Sequence, residues 1–270
     1  MNEAIPPKSA AAETKACCAA VYGSDVMPLL LGGSYHPGGL ALTRRLAEQL
    51  RLCRGDRVLD VATGRGTSAL LLAGEYHADV TGVDLSPANI ALASDAARTT
   101  GLVDQTRFLL GDADRLPVEN AGFDAVMCEC AFCTFPSKPT AAAELARVLR
   151  PGGLLGIADV TAEPTALPPE LSGLSGWIAC LGGARPLPEY TDLLTAAGLT
   201  VTHTERHDAS ITAMLDQVEA RLALVRMTAR DQAEALGVDF DRAPAVLAAA
   251  RTAIGDGVLG YALLTARKPE

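Results

Sequence analysis

The fold can be inferred from one stretch, Val58-Leu59-Asp60-Val61-Ala62-Thr63-Gly64-Arg65-Gly66-Thr67-Ser68. An apolar strand pattern leads into a turn with two glycines, and a helical pattern begins directly after it. Glycines let a ligand lie against bare backbone, and a helix start offers N–H groups that the helix leaves unpaired. A second apolar strand ends in Asp84, whose carboxylate is suited to grip two ribose hydroxyls. These features predict a nucleoside cofactor site on a parallel sheet.

Strand and helix patterns alternate around this stretch, which is typical of right-handed strand–helix–strand units and an α/β fold. The residues 149–153 predict a helix end and a sharp turn into the fifth strand. After Asp159 the pattern becomes more helical, with long helical stretches expected at 171–181, 211–236 and 243–254. Strands are expected near 57–62, 79–84, 106–110, 123–129, 153–159, 199–207 and 260–266, and earlier helices near 66–74, 87–100 and 138–149.

Length and composition limit the classes of function. The chain has 270 residues, 49% of them hydrophobic and 20% charged, which predicts a sizeable core rather than disorder. The net charge of −9 argues against a nucleic-acid backbone as partner and favours a small-molecule substrate. No apolar stretch is long enough to span a membrane, and residues 1–15 lack the apolar core of a secretory signal. A cytoplasmic location is therefore expected, with the seven cysteines as thiols.

The organisation that we predict has two regions. Residues 1–40 form an N-terminal tail and lid element, and 41–270 form one α/β domain. Helical insertions near 165–198 and 208–256 are longer than their connections require, which suggests a helical cap over the mouth of the site. The sequence does not predict the oligomeric state.

Five motifs occur in a fixed order: VLDVATGRG, TGVDLSP, GDADRLP, FDAVMCE and RVLRPGG. Through this combination of motifs, the chain resembles the class I S-adenosylmethionine-dependent methyltransferases over about residues 40–205 and the final strand. The resemblance implies a Rossmann-like sheet of seven strands, mostly parallel with the last antiparallel, helices on both faces, and S-adenosylmethionine as cofactor.

The resemblance also implies roles for individual residues. Asp60, Gly64 and Gly66 would hold the methionine portion of the donor. Asp84 would bind the ribose hydroxyls, and Leu85 would pack on the adenine. The full set that it implies for the cofactor is Asp60, Ala62, Gly64, Gly66, Asp84, Leu85, Asp112, Ala113 and Cys128.

Closely spaced cysteines form a second constellation. Cys130 and Cys133 follow the fourth strand, and Cys17 and Cys18 lie in the N-terminal element. Thiolates favour soft centres, and trivalent arsenic held by them keeps a lone pair that attacks a sulfonium methyl without any base. This arrangement is similar, by its chemistry, to the arsenite methyltransferases. Arsenite or an organoarsenical is therefore the preferred acceptor, with these four cysteines as its ligands, although buried packing explains such cysteines equally well.

Two alternatives stay open. The acceptor is an oxygen, nitrogen or carbon atom of a small metabolite, and His36 or Glu129 then acts as general base. The other alternative is a thiol-based metal sensor that kept the fold and lost catalysis, although the complete cofactor motifs argue against it.

Overall fold

The computed structural model describes residues 30–32, 35–171 and 181–270. Its strands and helices follow the alternation that the sequence predicts, and three short 3-10 turns lie between them. The strands are β1 Arg57–Val61, β2 Asp79–Asp84, β3 Thr106–Leu110, β4 Phe123–Glu129, β5 Leu149–Ala162, β6 Thr200–Arg206 and β7 Leu259–Arg267. The helices are α1 Gly39–Gln49, α2 Thr67–Tyr76, α3 Pro87–Thr100, α4 Lys138–Val148, α5 Leu187–Ala196, α6 Asp208–Thr228, α7 Arg230–Ala235 and α8 Ala243–Gly255. The 3-10 turns are Phe132–Thr134, Pro164–Ala166 and Pro169–Leu171.

One sheet of seven strands organises these elements, in the order β3-β2-β1-β4-β5-β7-β6. The strands β1 to β5 pair in parallel, and β7 runs antiparallel to both of its neighbours, β5 and β6. Because β1, β2 and β4 are parallel, their carboxyl ends lie at the same edge of the sheet. The strand order reverses between β1 and β4, and ligands of open α/β sheets bind at such a switch point. The predicted seven-stranded, mostly parallel sheet is confirmed.

Helices cover both faces because neighbouring residues of the central strands point to opposite sides. Val58 and Met127 belong to one apolar cluster, together with residues of α1, α2, α6 and α8. Leu59 and Val126 belong to the other, together with residues of α4 and α5. The core is therefore divided into two layers, and the site lies at the strand ends between them.

Two predicted boundaries differ from the structure. Strand β5 begins at Leu149 rather than near 153, because Leu149 already pairs with Phe123 while Gly152 turns the strand with a φ of 75°. The predicted helix 211–236 begins earlier, at Asp208, and breaks at Ala229, whose φ of −152° leaves the helical region. Backbone geometry at single positions decided both points, and hydrophobic periodicity does not report it.

Some predictions fall outside the described residues. Cys17, Cys18 and most of the helix predicted at 171–181 lie there, and the N-terminal segment 1–40 is described only at 30–32 and from residue 35. The predicted domain bounds stay predictions. Within the described ranges, no helix combines the length and the hydrophobicity that crossing a membrane requires.

Leu46 of α1 tests the packing of the N-terminal helix on the sheet. It is fully buried, and Gly156 of β5 lies so close that an added Cβ would be 2.7 Å from Leu46 Cδ1. We expect Leu46→Ala to lower the free energy of unfolding by about 2–5 kcal/mol in urea denaturation, because the cavity cannot close fully. Leu224→Ala, at a residue that is 60% exposed, is the control and should change it by less than about 0.5 kcal/mol.

Candidate functional site

A cavity of about 520 Å³ opens at the carboxyl ends of β1, β2 and β4. This volume lies in the range of small-molecule sites. Its walls come from the turn after β1, the start of α3, the loop after β3, the loop after β4, and the segment that precedes α1. The turn after β1, the end of β2 and the loop after β3 are places where the sequence predicts cofactor residues, so the fold brings these separate motifs to one cavity.

The turn after β1 presents bare backbone to the cavity. Ala62 and Gly64 line the cavity in left-handed conformations, with φ of 60° and 55°, and an added Cβ at Gly64 would meet nothing within 4 Å. Gly66 does not line the cavity. It starts α2 with a φ of 80°, and an added Cβ there would lie 2.9 Å from the Ala93 side chain. Gly66 thus has a structural role in the turn, and its predicted contact with the cofactor stays a prediction.

Asp84 at the end of β2 ties this turn to the next helix. One carboxylate oxygen accepts the Gly64 N–H at 2.8 Å. The other accepts the Ser86 N–H at 2.8 Å and the Asn89 side-chain amide at 3.2 Å. Asp84 is only 8% exposed and lines the cavity. Its carboxylate therefore organises the site and also faces the space that a ligand would fill.

Asp60 is the most buried acid of the site, at 3% exposure. Burial raises its pKa to about 7, the hydrogen bond that Thr63 donates at 2.6 Å opposes the rise, and the carboxylates of Glu129 and Asp84 add to it. The ligand-free site thus holds an acid that resists ionisation at neutral pH. A cation in the cavity would favour the ionised form.

Glu129 at the end of β4 forms a polar cluster with α1 and α2. Its carboxylate accepts the Thr43 hydroxyl at 3.1 Å and the Ser68 hydroxyl at 2.6 Å. His36 Nε2 lies 3.8 Å from a Glu129 oxygen and 3.4 Å from the Thr43 hydroxyl, while His36 Nδ1 lies 3.3 Å from the Pro37 carbonyl oxygen. The Pro37 carbonyl and the Glu129 carboxylate only accept hydrogen bonds, so each ring nitrogen of His36 lies beside an acceptor. Thr43 and Ser68 are the partners that sequence reasoning missed.

The cysteines divide between the cavity and the core. Among the four cysteines that the structure describes, Cys130 alone lines the cavity, and it does so with a φ of 51°. Cys133 is fully buried beneath the loop. Cys128 is fully buried too, and burial raises the pKa of its thiol well above its ordinary value. The structure thus places neither Cys128 against the donor cavity nor Cys133 in position to bind a substrate there.

The far wall carries the remaining predicted cofactor residues. Leu85, Asp112 and Ala113 line the cavity. Asn89, Leu92 and Ala96 line it as well, on one face of α3. Their spacing of three and four residues was a signal for this shared face. The buried Asn89 Oδ1 has no hydrogen-bond partner among the described residues.

The helical cap predicted for residues 208–256 stays a prediction, and none of these residues is among those that line the cavity. The helices α6 and α8 pack on the sheet through buried residues such as Leu215 and Leu247. The link to the mouth is Arg221, whose guanidinium lies against Gly32, a residue that does line the cavity.

Comparison with known proteins agrees with this geometry. Residues 58–153 match a family model described as a methyltransferase domain. The 27-O-demethylrifamycin SV methyltransferase of Amycolatopsis mediterranei is 31% identical over 233 residues, which cover 85% of this chain and 83% of that protein. The chain belongs to the class I S-adenosylmethionine-dependent methyltransferase family. The structure of the [4+2]-cyclase SpnF is also similar, with a TM-score of 0.69, 29% identity, and coverage of 85% of this chain and 81% of that one.

Other relatives match this methyltransferase over a shorter stretch. The methyltransferase GfsG of Streptomyces halstedii is 35% identical over 164 residues, which are 60% of this chain and 59% of that protein. The chain thus spans less than two thirds of that relative's length. S-adenosylmethionine is the cofactor of this family and methyl transfer is its reaction, and membership leaves the acceptor open.

The residues present fit the cofactor. The open backbone at Gly64 leaves room for a ligand to lie directly on the turn, and the buried Asn89 Oδ1 lacks a donor within the described part of the chain. The carboxyl groups of Asp60 and Glu129 suit a ligand that carries an ammonium and a sulfonium. These observations come from the cavity itself and are independent of the sequence motifs.

The raised pKa of Asp60 gives a stability prediction. Between the ordinary value of 3.8 and about 7, the folded protein binds more protons at Asp60 than the unfolded chain does. Its stability therefore falls as the pH rises through this window. Asp60→Asn removes this titration and keeps an acceptor for Thr63. We expect the free energy of unfolding of the variant, measured relative to that of the unsubstituted protein by urea denaturation, to rise by on the order of 2 kcal/mol from pH 5 to pH 8. Asp79→Asn, at an exposed strand start, is the control, and a difference independent of pH for Asp60→Asn would contradict the prediction.

Proposed function

We propose that this methyltransferase transfers the methyl group to a hydroxyl of a neutral, largely apolar small molecule. The observation that carries the proposal is the His36–Thr43–Glu129 cluster at the cavity wall, because a hydroxyl must lose its proton during the transfer. A relative of similar length is named for the methylation of an O-demethylated rifamycin, which supports an oxygen acceptor.

The charge of the cavity favours a neutral acceptor. Its described lining includes four carboxyl groups, whereas Arg65 supplies the lone guanidinium among the described lining residues. An anionic acceptor would be repelled there. Tyr35 and Phe135 add aromatic surface to the wall near His36 and Cys130. A hydroxyl compound with an apolar body fits this combination.

The roles that we assign to the donor side follow from the contacts. When bound, S-adenosylmethionine supplies a methyl group already activated by its sulfonium. Asp84 would hold the ribose hydroxyls, the Gly64 turn and Asp60 the methionine portion, and Leu85, Asp112 and Ala113 the adenine. The chain's own contribution is to orient the acceptor, exclude water and accept the proton at the His36 imidazole.

Trivalent arsenic is the second acceptor to test. Cys130 lines the cavity, which supports a thiol ligand there. Arsenic transfer would need at least one more thiolate, and Cys133 is fully buried, while Cys17 and Cys18 lie outside the described residues. Within the described ranges, no group of three or more His, Cys, Asp or Glu side chains is placed to hold a metal ion. We therefore rank the hydroxyl acceptor first.

A product assay separates the acceptors. The protein is incubated with methyl-labelled S-adenosylmethionine and either a panel of neutral phenols and alcohols or arsenite with a thiol reductant, and labelled products are identified by mass spectrometry. We expect transfer to a hydroxyl compound. His36→Ala should lower kcat by about 10²-fold or more with little change in donor affinity, and Cys130→Ser should retain activity.

The control for this assay is His203→Ala, at an exposed histidine on β6. Methylated arsenic that is lost in Cys130→Ser and kept in His36→Ala would overturn the hydroxyl proposal in favour of arsenic. Donor binding with no labelled product from either panel would favour a binding protein or another chemistry on this fold.

Donor binding tests the assignment of Asp84. Asp84→Ala removes the carboxylate that faces the cavity and releases the Gly64 N–H. We expect the dissociation constant for S-adenosylhomocysteine to rise more than about tenfold in calorimetry, because a charged hydrogen-bond acceptor is lost. Asp79→Ala is the matched control at the opposite end of the same strand. Unchanged affinity in a folded Asp84→Ala protein would refute the placement of the ribose.

A further inference from the structure

The loop after β4, residues 130–135, forms much of the wall beside Cys130, and we call it the acceptor loop. Cys130, Ala131, Thr134 and Phe135 line the cavity. Phe132 and Cys133, in the middle of the loop, are fully buried on its other side. The position of the buried middle therefore sets the position of the lining residues at both ends.

Two charged side chains hold the backbone of Cys133 from opposite sides. A carboxylate oxygen of Asp159, in the second half of β5, accepts the Cys133 N–H at 2.8 Å. Lys138 Nζ, at the start of α4, donates to the Cys133 carbonyl at 2.7 Å and to the Phe135 carbonyl at 3.2 Å. The second oxygen of Asp159 accepts the Val160 N–H at 2.7 Å. Each contact is thus a charge-assisted hydrogen bond to backbone, which is stronger than one between neutral groups.

Both charges are buried, Asp159 completely and Lys138 to 92%, since 8% of it is exposed. Taking ions out of water is costly, and apolar residues of similar size often replace buried ion pairs with no loss of stability. Stability alone therefore does not account for this pair. Apolar residues could not bond to the loop backbone, whereas this pair fixes the positions of the Cys133 N–H and the Cys133 carbonyl.

Neighbouring residues also pack closely against the acceptor loop. Phe132 makes edge contacts with Phe135 and Tyr190, with ring centroids 5.8 and 5.7 Å apart. Gly183 lies against the Cys133 carbonyl, where an added Cβ would be 2.1 Å from the oxygen. The two charges and this packing together fix the acceptor loop relative to the strand ends.

We propose that Asp159 and Lys138 are positioning residues for the methyl acceptor, acting through the backbone of Cys133 to hold the acceptor loop against the donor site. The inference concerns the acceptor side and rests on the proposed function for the identity of the acceptor. The donor contacts lie on β1, β2 and the loop after β3, which neither residue touches in the bonds above. Loss of the pair should consequently separate acceptor binding from donor binding.

Asp159→Asn and Lys138→Met test the proposal with side chains of similar size. We expect KM for the hydroxyl acceptor to rise about tenfold or more, since small misplacements of reacting groups are expensive, while the dissociation constant for S-adenosylhomocysteine changes less than about twofold. Lys268→Met is the matched control. Its Nζ also donates to two backbone carbonyls, those of Ala146 and Leu149, both at 2.7 Å, but at the opposite end of β5.

Two readouts do not depend on the identity of the acceptor. Hydrogen exchange of the peptide spanning 130–135 should accelerate in both variants, with exchange over 60–66 unchanged. Alkylation of Cys130 by iodoacetamide, followed on its own peptide by mass spectrometry, should change in rate by several-fold. Gly183→Ala should produce the same pattern, because its methyl group displaces the Cys133 carbonyl.

The outcomes are distinct. Unchanged loop exchange and unchanged Cys130 alkylation in all three variants would overturn the positioning role, whatever the acceptor proves to be. A faster loop with unaltered KM and kcat, or an equal loss of donor and acceptor binding, would overturn it as well. Should the unsubstituted protein methylate no hydroxyl compound, the proposed function fails, and the exchange and alkylation data still decide whether the pair positions the loop.

Discussion

Desolvation of acidic side chains governs the site, because the fold gathers several carboxyl groups at a single sheet edge and buries Asp60 and Asp84 there. Asp60, Asp84 and Glu129 lie on three neighbouring strands of the sheet and line the same cavity. Each is supported by donors from another element, Thr63 for Asp60, the Gly64 N–H for Asp84, and Ser68 for Glu129. The pKa of Asp60 is nevertheless raised, first by burial and then by the neighbouring carboxylates of Glu129 and Asp84. A cationic cofactor relieves both, so this arrangement of charge favours its binding.

The same carboxyl groups connect the donor side to the acceptor side. Glu129 shares Thr43 with His36, so an acid at the end of β4 also orients the imidazole of the segment before α1. The next residue, Cys130, starts the acceptor loop. Asp159 and Lys138 form hydrogen bonds with the backbone of this loop at Cys133. The roles that we propose for donor recognition, proton acceptance and acceptor placement therefore meet within a few residues of one strand end. Family membership indicates the cofactor and the class of reaction, and the proposal for the acceptor rests on this junction.

The cysteines show how far residue type alone can lead. Their spacing suggested a soft-centre site, yet the strand and the 3-10 turn send neighbouring side chains in different directions. Cys130 reaches the cavity, while Cys128 and Cys133 enter the core. The thiol of Cys133 lies in the core, away from the cavity. The Cys133 groups that contact Asp159 and Lys138 are the backbone N–H and the carbonyl.

Local patterns in the chain were sufficient to predict the order and type of most strands and helices and the edge at which the cavity opens. Glycine turns, strand ends and hydrophobic periods are local properties, and the parallel sheet converts them into one site. The support of Glu129 emerged only from the folded chain, since Thr43 lies 86 residues away in sequence. So did the packing of α6 and α8 on the sheet and the burial of Cys133. These outcomes depend on contacts between distant segments, and no local pattern encodes which distant residue will complete a bond or close a face.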